Sequence, residues 1–337
     1  MSVRTKAVAA AVLLVVGCCP ALAAAQSPAQ FYHGKTLNLY IGYGPGGGYD
    51  LFGRLVARFL GTHIPGQPTV VPQNMPGAGS IRAANYVYNV APKDGTALGI
   101  VTQTVALEEV LGTQGVQYKA ADFHWVGRVT SNVDILVAWH SSKVKTIADA
   151  MIHEIPLASP GSGLFIPRIL NNVVGTKFKM ITGFPGSNES NLAMERGEVE
   201  AVSTSWTQLK TAKEEWVKKG IVNILVEYAP QRFGDLPNVP SMVELGKTED
   251  QIKVLMLYAS GSDVGRSIFT TPGVPADRVK ALRDAFDAMV RDPHLLAYVK
   301  QTKAEFDPLP GVELQKIIAQ SAAIPDDIRQ QAIAAQK

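Results

Sequence analysis

One pattern recurs four times along the chain and constrains its architecture more than any other feature. It is a short apolar run, then a Pro-Gly turn rich in small residues, then in most cases a helical pattern. The first unit is residues 37–43 followed by Pro45-Gly46-Gly47-Gly48. The second is Val70-Val71 with Gln73-Asn74, then Pro76-Gly77-Ala78-Gly79-Ser80. The third is 155–159 with Pro160-Gly161-Ser162-Gly163, and the fourth is 178–184 with Pro185-Gly186-Ser187-Asn188. One pair lies early and one in mid-chain. This predicts two α/β domains of like design, each offering two Gly-rich strand-to-helix turns. A length of 337 residues accommodates both domains, and 46% hydrophobic with 18% charged residues supplies a core.

The first 25 residues are set aside from this fold. Arg4 and Lys6 form a basic stretch, residues 7–16 an apolar run, and Ala21-Leu22-Ala23 and Ala23-Ala24-Ala25 are Ala-x-Ala cleavage sites. They read as a signal peptide for export. The apolar run is too short for a spanning helix. Val15-Val16-Gly17-Cys18 offers a second reading, a lipoprotein box that would leave a lipidated Cys18. Removal of the leader lowers the formal charge from +3 to +1 and takes both cysteines, Cys18 and Cys19. No thiol nucleophile or Cys-based metal site is then expected. With no clustered Lys and Arg, a nucleic-acid surface is not expected either.

The helix after the first turn is well specified. Leu51, Leu55 and Phe59 recur every four residues, as do Phe52, Val56 and Leu60. Asp50 stands at its start as a cap, and Gly61 reads as its stop. Ser80 opens a second helix reaching Asn89 or Val90. Strands are predicted at 97–101, 135–139, 199–203, 221–226 and 254–258. Two late helices cover 275–291 and the segment after Pro310. Residues 124–139 read as the crossover to the second domain and 254–260 as the return strand. Two lobes joined by two strands would leave a cleft between them.

Gly42-Tyr43-Gly44-Pro45-Gly46-Gly47 fits G-x-G-x-x-G but fails as a dinucleotide site. No acid lies between Asp50 and Asp94 to hold a ribose, and Pro45 removes a loop N–H. What survives is general: a Gly-rich turn at a helix N-terminus offers free N–H groups and partial positive charge to an anion. No cofactor is implied. The six histidines show no H-x-x-x-H spacing, and no G-x-S-x-G elbow is present, so neither metal nor catalytic residue is assigned. Trp206, after Ser203-Thr204-Ser205, reads equally as a pocket wall or as interior packing.

With these residues in place, the chain resembles the solute receptors of tripartite tricarboxylate transporters, the Bug family. The resemblance runs through Pro45-Gly46-Gly47-Gly48-Tyr49-Asp50, Asn74-Met75-Pro76-Gly77-Ala78-Gly79 and Ala91-Pro92-Lys93-Asp94-Gly95-Thr96. It continues through Arg232, Leu236-Pro237-Asn238-Val239-Pro240-Ser241, Glu244-Leu245-Gly246 and Thr271-Pro272-Gly273-Val274-Pro275. It implies a periplasmic-binding-protein type II-like α/β fold, two lobes with a ligand cleft and two connecting strands. Lobe 1 would hold 26–132 plus 256–337, and lobe 2 133–255. It implies a periplasmic, monomeric receptor for a small organic carboxylate that serves membrane permease subunits. Carried over, the first-lobe contacts are Tyr43, Gly46, Gly47, Gly48, Ala78, Gly79, Thr102 and Gln103. The second-lobe contacts are Ser159, Gly161, Ser162, Gly163, Pro185, Gly186, Ser187 and Ser205.

The chain departs from the family pattern inside the expected pocket. No His follows the third turn, no Lys stands in the fourth, and Ser260-Gly261-Ser262 replaces an aromatic-rich motif. Phe165, Phe184 and Trp206 then point either to an apolar carboxylate or to packing. Arg168 and Arg128 are the candidate charge partners for a distal carboxylate. Two other readings are kept: a receptor presenting its ligand to a sensor kinase, and an exported serine hydrolase with Ser162 or Ser187 as nucleophile. The last requires a histidine in hydrogen-bond reach.

Overall fold

The computed structural model describes residues 26–302 and 304–336; the expected leader, with Cys18, lies outside the described residues. From α1 (Pro28–Tyr32) the chain enters β1 (Thr36–Ile41), α2 (Gly48–His63), β2 (Thr69–Asn74), α3 (Ile81–Asn89), β3 (Ala97–Ile100), α4 (Val105–Val110) and β4 (His124–Arg128). It crosses into β5 (Asp134–Trp139), α5 (Ile147–Ile152), β6 (Ile155–Ala158), α6 (Phe165–Val174), β7 (Phe178–Ile181), α7 (Ser187–Glu195), β8 (Ala201–Ser205), α8 (Trp206–Ala212), α9 (Glu214–Lys218) and β9 (Val222–Glu227). Helix α10 (Glu249–Ala259) leads back to β10 (Ser267–Thr270). Then come α11 (Ala276–Met289), α12 (Pro293–Thr302), β11 (Leu309–Pro310), α13 (Gly311–Ala322) and α14 (Asp326–Ala335).

The strands form two mixed sheets, each the centre of a lobe: six strands in the order β11-β4-β10-β3-β1-β2 and five in the order β7-β6-β8-β5-β9. In the first, β1 runs parallel to β2 and β3, and β10 antiparallel to β3 and β4. In the second, β6 runs parallel to β7 and β8, and β5 antiparallel to β8 and β9. The parallel pairs come from strand–helix–strand units, as the recurring pattern predicts. Helices cover both faces of the first sheet, so Leu37, Leu39, Tyr40 and Ile41 of β1 are all buried.

The apolar stripe of α2 packs as expected, with Phe52, Leu55, Val56 and Leu60 buried against Leu39, Ile41 and Val70. Gly61 does not stop that helix, which continues to His63. A Cβ at Gly61 would lie 2.3 Å from the Pro68 carbonyl oxygen, so this glycine lets the following link fold back onto the helix. Asp50 does not cap the helix amides either. Its carboxylate accepts from Gly46 N–H at 2.9 Å, from Arg54 Nε and from Asn74 Nδ2, tying the first turn to the end of β2.

The return segment is a second correction. Residues 254–258 are helical, not a strand. The Thr248 hydroxyl caps Gln251 N–H, Glu249 and Asp250 occupy the first turn, and Val254, Leu255, Tyr258 and Ala259 share one buried face. This α10 packs with Leu157 and Ile169 of the second lobe, and Ala332 of α14 joins the same core. The actual return is the short 3-10 turn at 260–263 and the bend after it, which lead into β10. Val129 N–H donates to Arg266 O at 2.9 Å, Arg266 N–H to Thr130 O at 2.9 Å, and Asn132 N–H to Ser262 O at 3.2 Å. The two connecting segments thus run side by side as one paired hinge.

Candidate functional site

The cleft lies where strands of both lobes end and their chains turn toward each other. The turn after β1 supplies Tyr43, Gly47 and Gly48, and the end of β3 supplies Thr102 and Gln103. From the second lobe come Ser159 and Gly163 after β6, Ser187 at the start of α7, and Ser203, Thr204 and Ser205 of β8. The part of the cleft in which a water-sized sphere fits is about 60 Å³, and the cleft opens to solvent.

Two features make this cleft attractive to an anion. Helices α2 and α7 both start at glycine, Gly47 and Gly186, with no side-chain cap. Their first amides therefore keep no intrahelical acceptor. A Cβ at Gly48 would lie 2.9 Å from Arg266 Nη2 and 3.1 Å from Ser205 Oγ, so only glycine lets the α2 terminus come this near the opposite wall.

The second feature is Arg266, which is 2% exposed. Its guanidinium stacks 3.8 Å from the Tyr49 ring centroid, and Tyr49 stacks in turn on Tyr43 at 4.4 Å. Burial pushes the Tyr49 hydroxyl up to about 12; it stays neutral and accepts from Gln103 N–H at 2.8 Å. Arg266 Nη2 donates to Asn132 Oδ1 at 2.6 Å, whereas Nε and Nη1 have no hydrogen-bond partner. Asn132 Nδ2 donates to Asp134 Oδ1 at 2.8 Å and to Gln103 Oε1 at 2.6 Å; Gln103 Nε2 donates to Asp134 Oδ2 at 3.2 Å. Burial raises the Asp134 carboxyl above the usual range, against the opposing pull of Arg266.

Of the residues named from sequence, Tyr43, Gly47, Gly48, Thr102, Gln103, Ser159, Gly163, Ser187 and Ser205 line this cleft. Ala78, Gly79 and Pro185 line an outer chamber of about 280 Å³ that shares Tyr43 and Pro160 with it; Phe184 stands there too. In that turn Ala78 and Ser80 both take positive φ, 45° and 84°, and Ser80 Oγ accepts from Thr102 N–H. Such conformations are strained for residues other than glycine. Gly46 lines a neighbouring cavity, and its would-be Cβ lies 2.5 Å from Asn188 Nδ2 of α7. Gly186 packs on Gly44, its would-be Cβ 3.6 Å away. The surroundings of Gly161 and of the Ser162 side chain lie outside what is described.

Four expected residues are elsewhere. Trp206 is interior packing: it is buried among Ile135, Val202 and Leu209, with Nε1 donating to Asp235 at 3.0 Å. Phe165 packs edge-on against Tyr258. Arg128 is spent on structure, donating to Asp307 Oδ2 at 2.7 Å and to the Asp263 carbonyl at 2.6 Å, and Arg168 is exposed on α6. The cation of the cleft is Arg266, which sequence reasoning missed. Its signal was modest: a lone arginine between Gly265 and Ser267 in the run leading to β10. Among the described residues, no histidine lines the cleft, no cluster of three or more His, Cys, Asp or Glu could hold a metal, and no helix is long and apolar enough to cross a membrane.

Two lobes around a small polar cleft, joined by a paired hinge, define a solute-binding receptor. The family described as Tripartite tricarboxylate transporter family receptor matches residues 54–330, and the chain belongs to that family. It is 26% identical over 309 residues to the UPF0065 protein in the gbd 5' region of Cupriavidus necator, covering 89% of this chain and 86% of that protein. In fold it is similar to the periplasmic binding protein BugD, with TM-score 0.71, 19% identity, and coverage of 89% of this chain and 97% of BugD. It is also similar to MatC from Rhodopseudomonas palustris with bound malate, with TM-score 0.67, 20% identity, and coverage of 88% and 99%. The family is one of solute-binding receptors rather than enzymes.

Proposed function

We propose that the chain is a periplasmic receptor that closes its lobes over a small organic carboxylate and delivers it to the membrane subunits of a tripartite tricarboxylate-type transporter. The observation that carries this reading is the convergence of two uncapped helix N-termini, α2 and α7, on one hydroxyl-lined cleft. Each offers free N–H groups and the positive end of a helix dipole, and each belongs to a different lobe. A carboxylate bridging them stabilises the closed arrangement over the open one, and that differential affinity is the receptor's function. MatC, with malate bound, is a relative in fold that holds a carboxylate. The hydrolase reading finds no support, since no histidine accompanies Ser187 in the cleft.

The test is a thermal-shift panel on refolded, ligand-stripped mature protein. It holds mono-, di- and tricarboxylates, amino acids, sugars and phosphate. A ligand at about 1,000 times its Kd adds about 4 kcal/mol of stability. Shifts confined to carboxylates support the reading; shifts from sugars or inorganic phosphate alone overturn it.

A further inference from the structure

The cleft carries one buried cation, Arg266, and one half-buried acid, Asp134, and they are not paired with each other. Arg266 and Asp134 each hydrogen bond Asn132, which stands between them. Among the described residues that line the cleft, they are the only groups of either charge. Both are kept fixed: Arg266 by Asn132 and by the Tyr49 ring, Asp134 by the Asn132 and Gln103 amides. Each nevertheless keeps capacity to bind. Arg266 Nε and Nη1 have no partner, and each Asp134 oxygen accepts one amide N–H where a carboxylate oxygen takes two.

Charge balance then restricts the ligand. The charges of the cleft's own lining sum to zero and are held apart. A ligand bearing one negative and one positive group in matching order leaves every buried charge compensated. A dicarboxylate sets its second charge near Asp134, or on neutral donors alone, in a largely buried cleft where unpaired charge is costly. We infer that the ligand is an α-amino acid, its carboxylate on Arg266 and the α2 amides and its ammonium on Asp134. This rests on the carboxylate-receptor reading above and names the class within it. Asp134 is then the specificity-determining residue.

Calorimetry on the ligand-stripped mature protein tests it with matched triplets. Each is an L-α-amino acid, the 2-hydroxy acid of the same skeleton, and the unsubstituted acid. In the best-binding triplet the amino acid should bind at least about 30-fold tighter than the unsubstituted acid, as expected when a buried charge pair loses one partner. Asp134→Asn should shrink that ratio to within about threefold, and Arg266→Gln should cost all three members at least about 30-fold. Hydroxy or unsubstituted acids binding as tightly as the amino acid would overturn the ammonium assignment and leave the carboxylate receptor intact. Binding of none of the carboxylates would overturn both. The wild-type ratio needs no variant, so a variant that fails to fold does not block the decision.

Discussion

Gly44 N–H donates to the Pro185 carbonyl oxygen at 3.2 Å, joining the first Gly-rich turn of one lobe to the fourth turn of the other. The turn residues are small because the two backbones touch: a Cβ on Gly44 would lie 3.3 Å from that same oxygen. Across the rest of the cleft mouth, Lys210 of α8 pairs with Glu305, which follows α12, at 2.9 Å. The lobes touch along this seam, so substitutions here read out closure.

Gly48→Ala should weaken ligand binding at least about tenfold by calorimetry, because the added methyl meets Arg266 and Ser205. Unfolding by circular dichroism should show a loss of no more than about 1–3 kcal/mol, the range for crowding a packed site. Gly47→Ala is the control. Its Cβ would make ordinary contact with Ser187 Oγ at 3.6 Å, and binding should change by less than about threefold. Unchanged affinity in Gly48→Ala would remove the α2 terminus from the site.

The Lys210–Glu305 pair should favour the closed lobes. Thr207 Oγ1 also donates to Glu305, so the acid is shared by two groups of α8. Lys210→Met and Glu305→Gln should each raise Kd by about two- to fivefold, the range of a partly exposed ion pair. In the double variant the losses should not add. Additive losses in that cycle would mean the pair does not act as a unit.

Arg128 should matter for stability and not for ligand. It is 7% exposed and bonds carbonyls of Asp263 and Asp307, anchoring β4 to both neighbouring segments. Arg128→Met should cost about 2–4 kcal/mol in urea unfolding, because buried carbonyls lose their donors. Ligand affinity should stay within about twofold of wild type. A selective loss of affinity would instead restore Arg128 as a ligand partner.

Stability should fall as pH rises. Burial pushes the Glu108 carboxyl from 4.5 up to about 8, although Thr104 and Tyr118 hydroxyls bond it. The folded state therefore holds a proton that the unfolded state has released, and stability declines between those two values. Glu227, buried and pushed up to about 7, adds in the same direction. Denaturation at pH 5 and pH 8 should differ by on the order of a few kcal/mol, with the acid side more stable. Glu108→Gln should flatten the slope; an unchanged slope would place the proton elsewhere.

Periodicity made α2 and α11 legible, and alternating strand-turn-helix units made both sheets legible, because these patterns are local. Residues 254–258 misled for the same reason. A short run of Val, Leu, Met and Tyr is compatible with a buried strand or a buried helix, and the decision lay in Thr248 and the acids after it. Trp206 was ambiguous until β8 and α8 were placed, since an indole serves a pocket and a core equally well.

The Gly-rich turns, their polar hydroxyl neighbours and the two-lobed plan were set by short stretches of chain, where backbone freedom and hydrophobic spacing act over a few residues. The charge in the cleft was not. Arg266 and Asn132 are 134 positions apart, and their meeting depends on the hinge pairing of two segments that the chain reaches before and after the second lobe. An exposed arginine and a buried one with partnerless N–H groups are the same letter in a sequence. Only the packing of both lobes removed the water that would have made Arg266 ordinary.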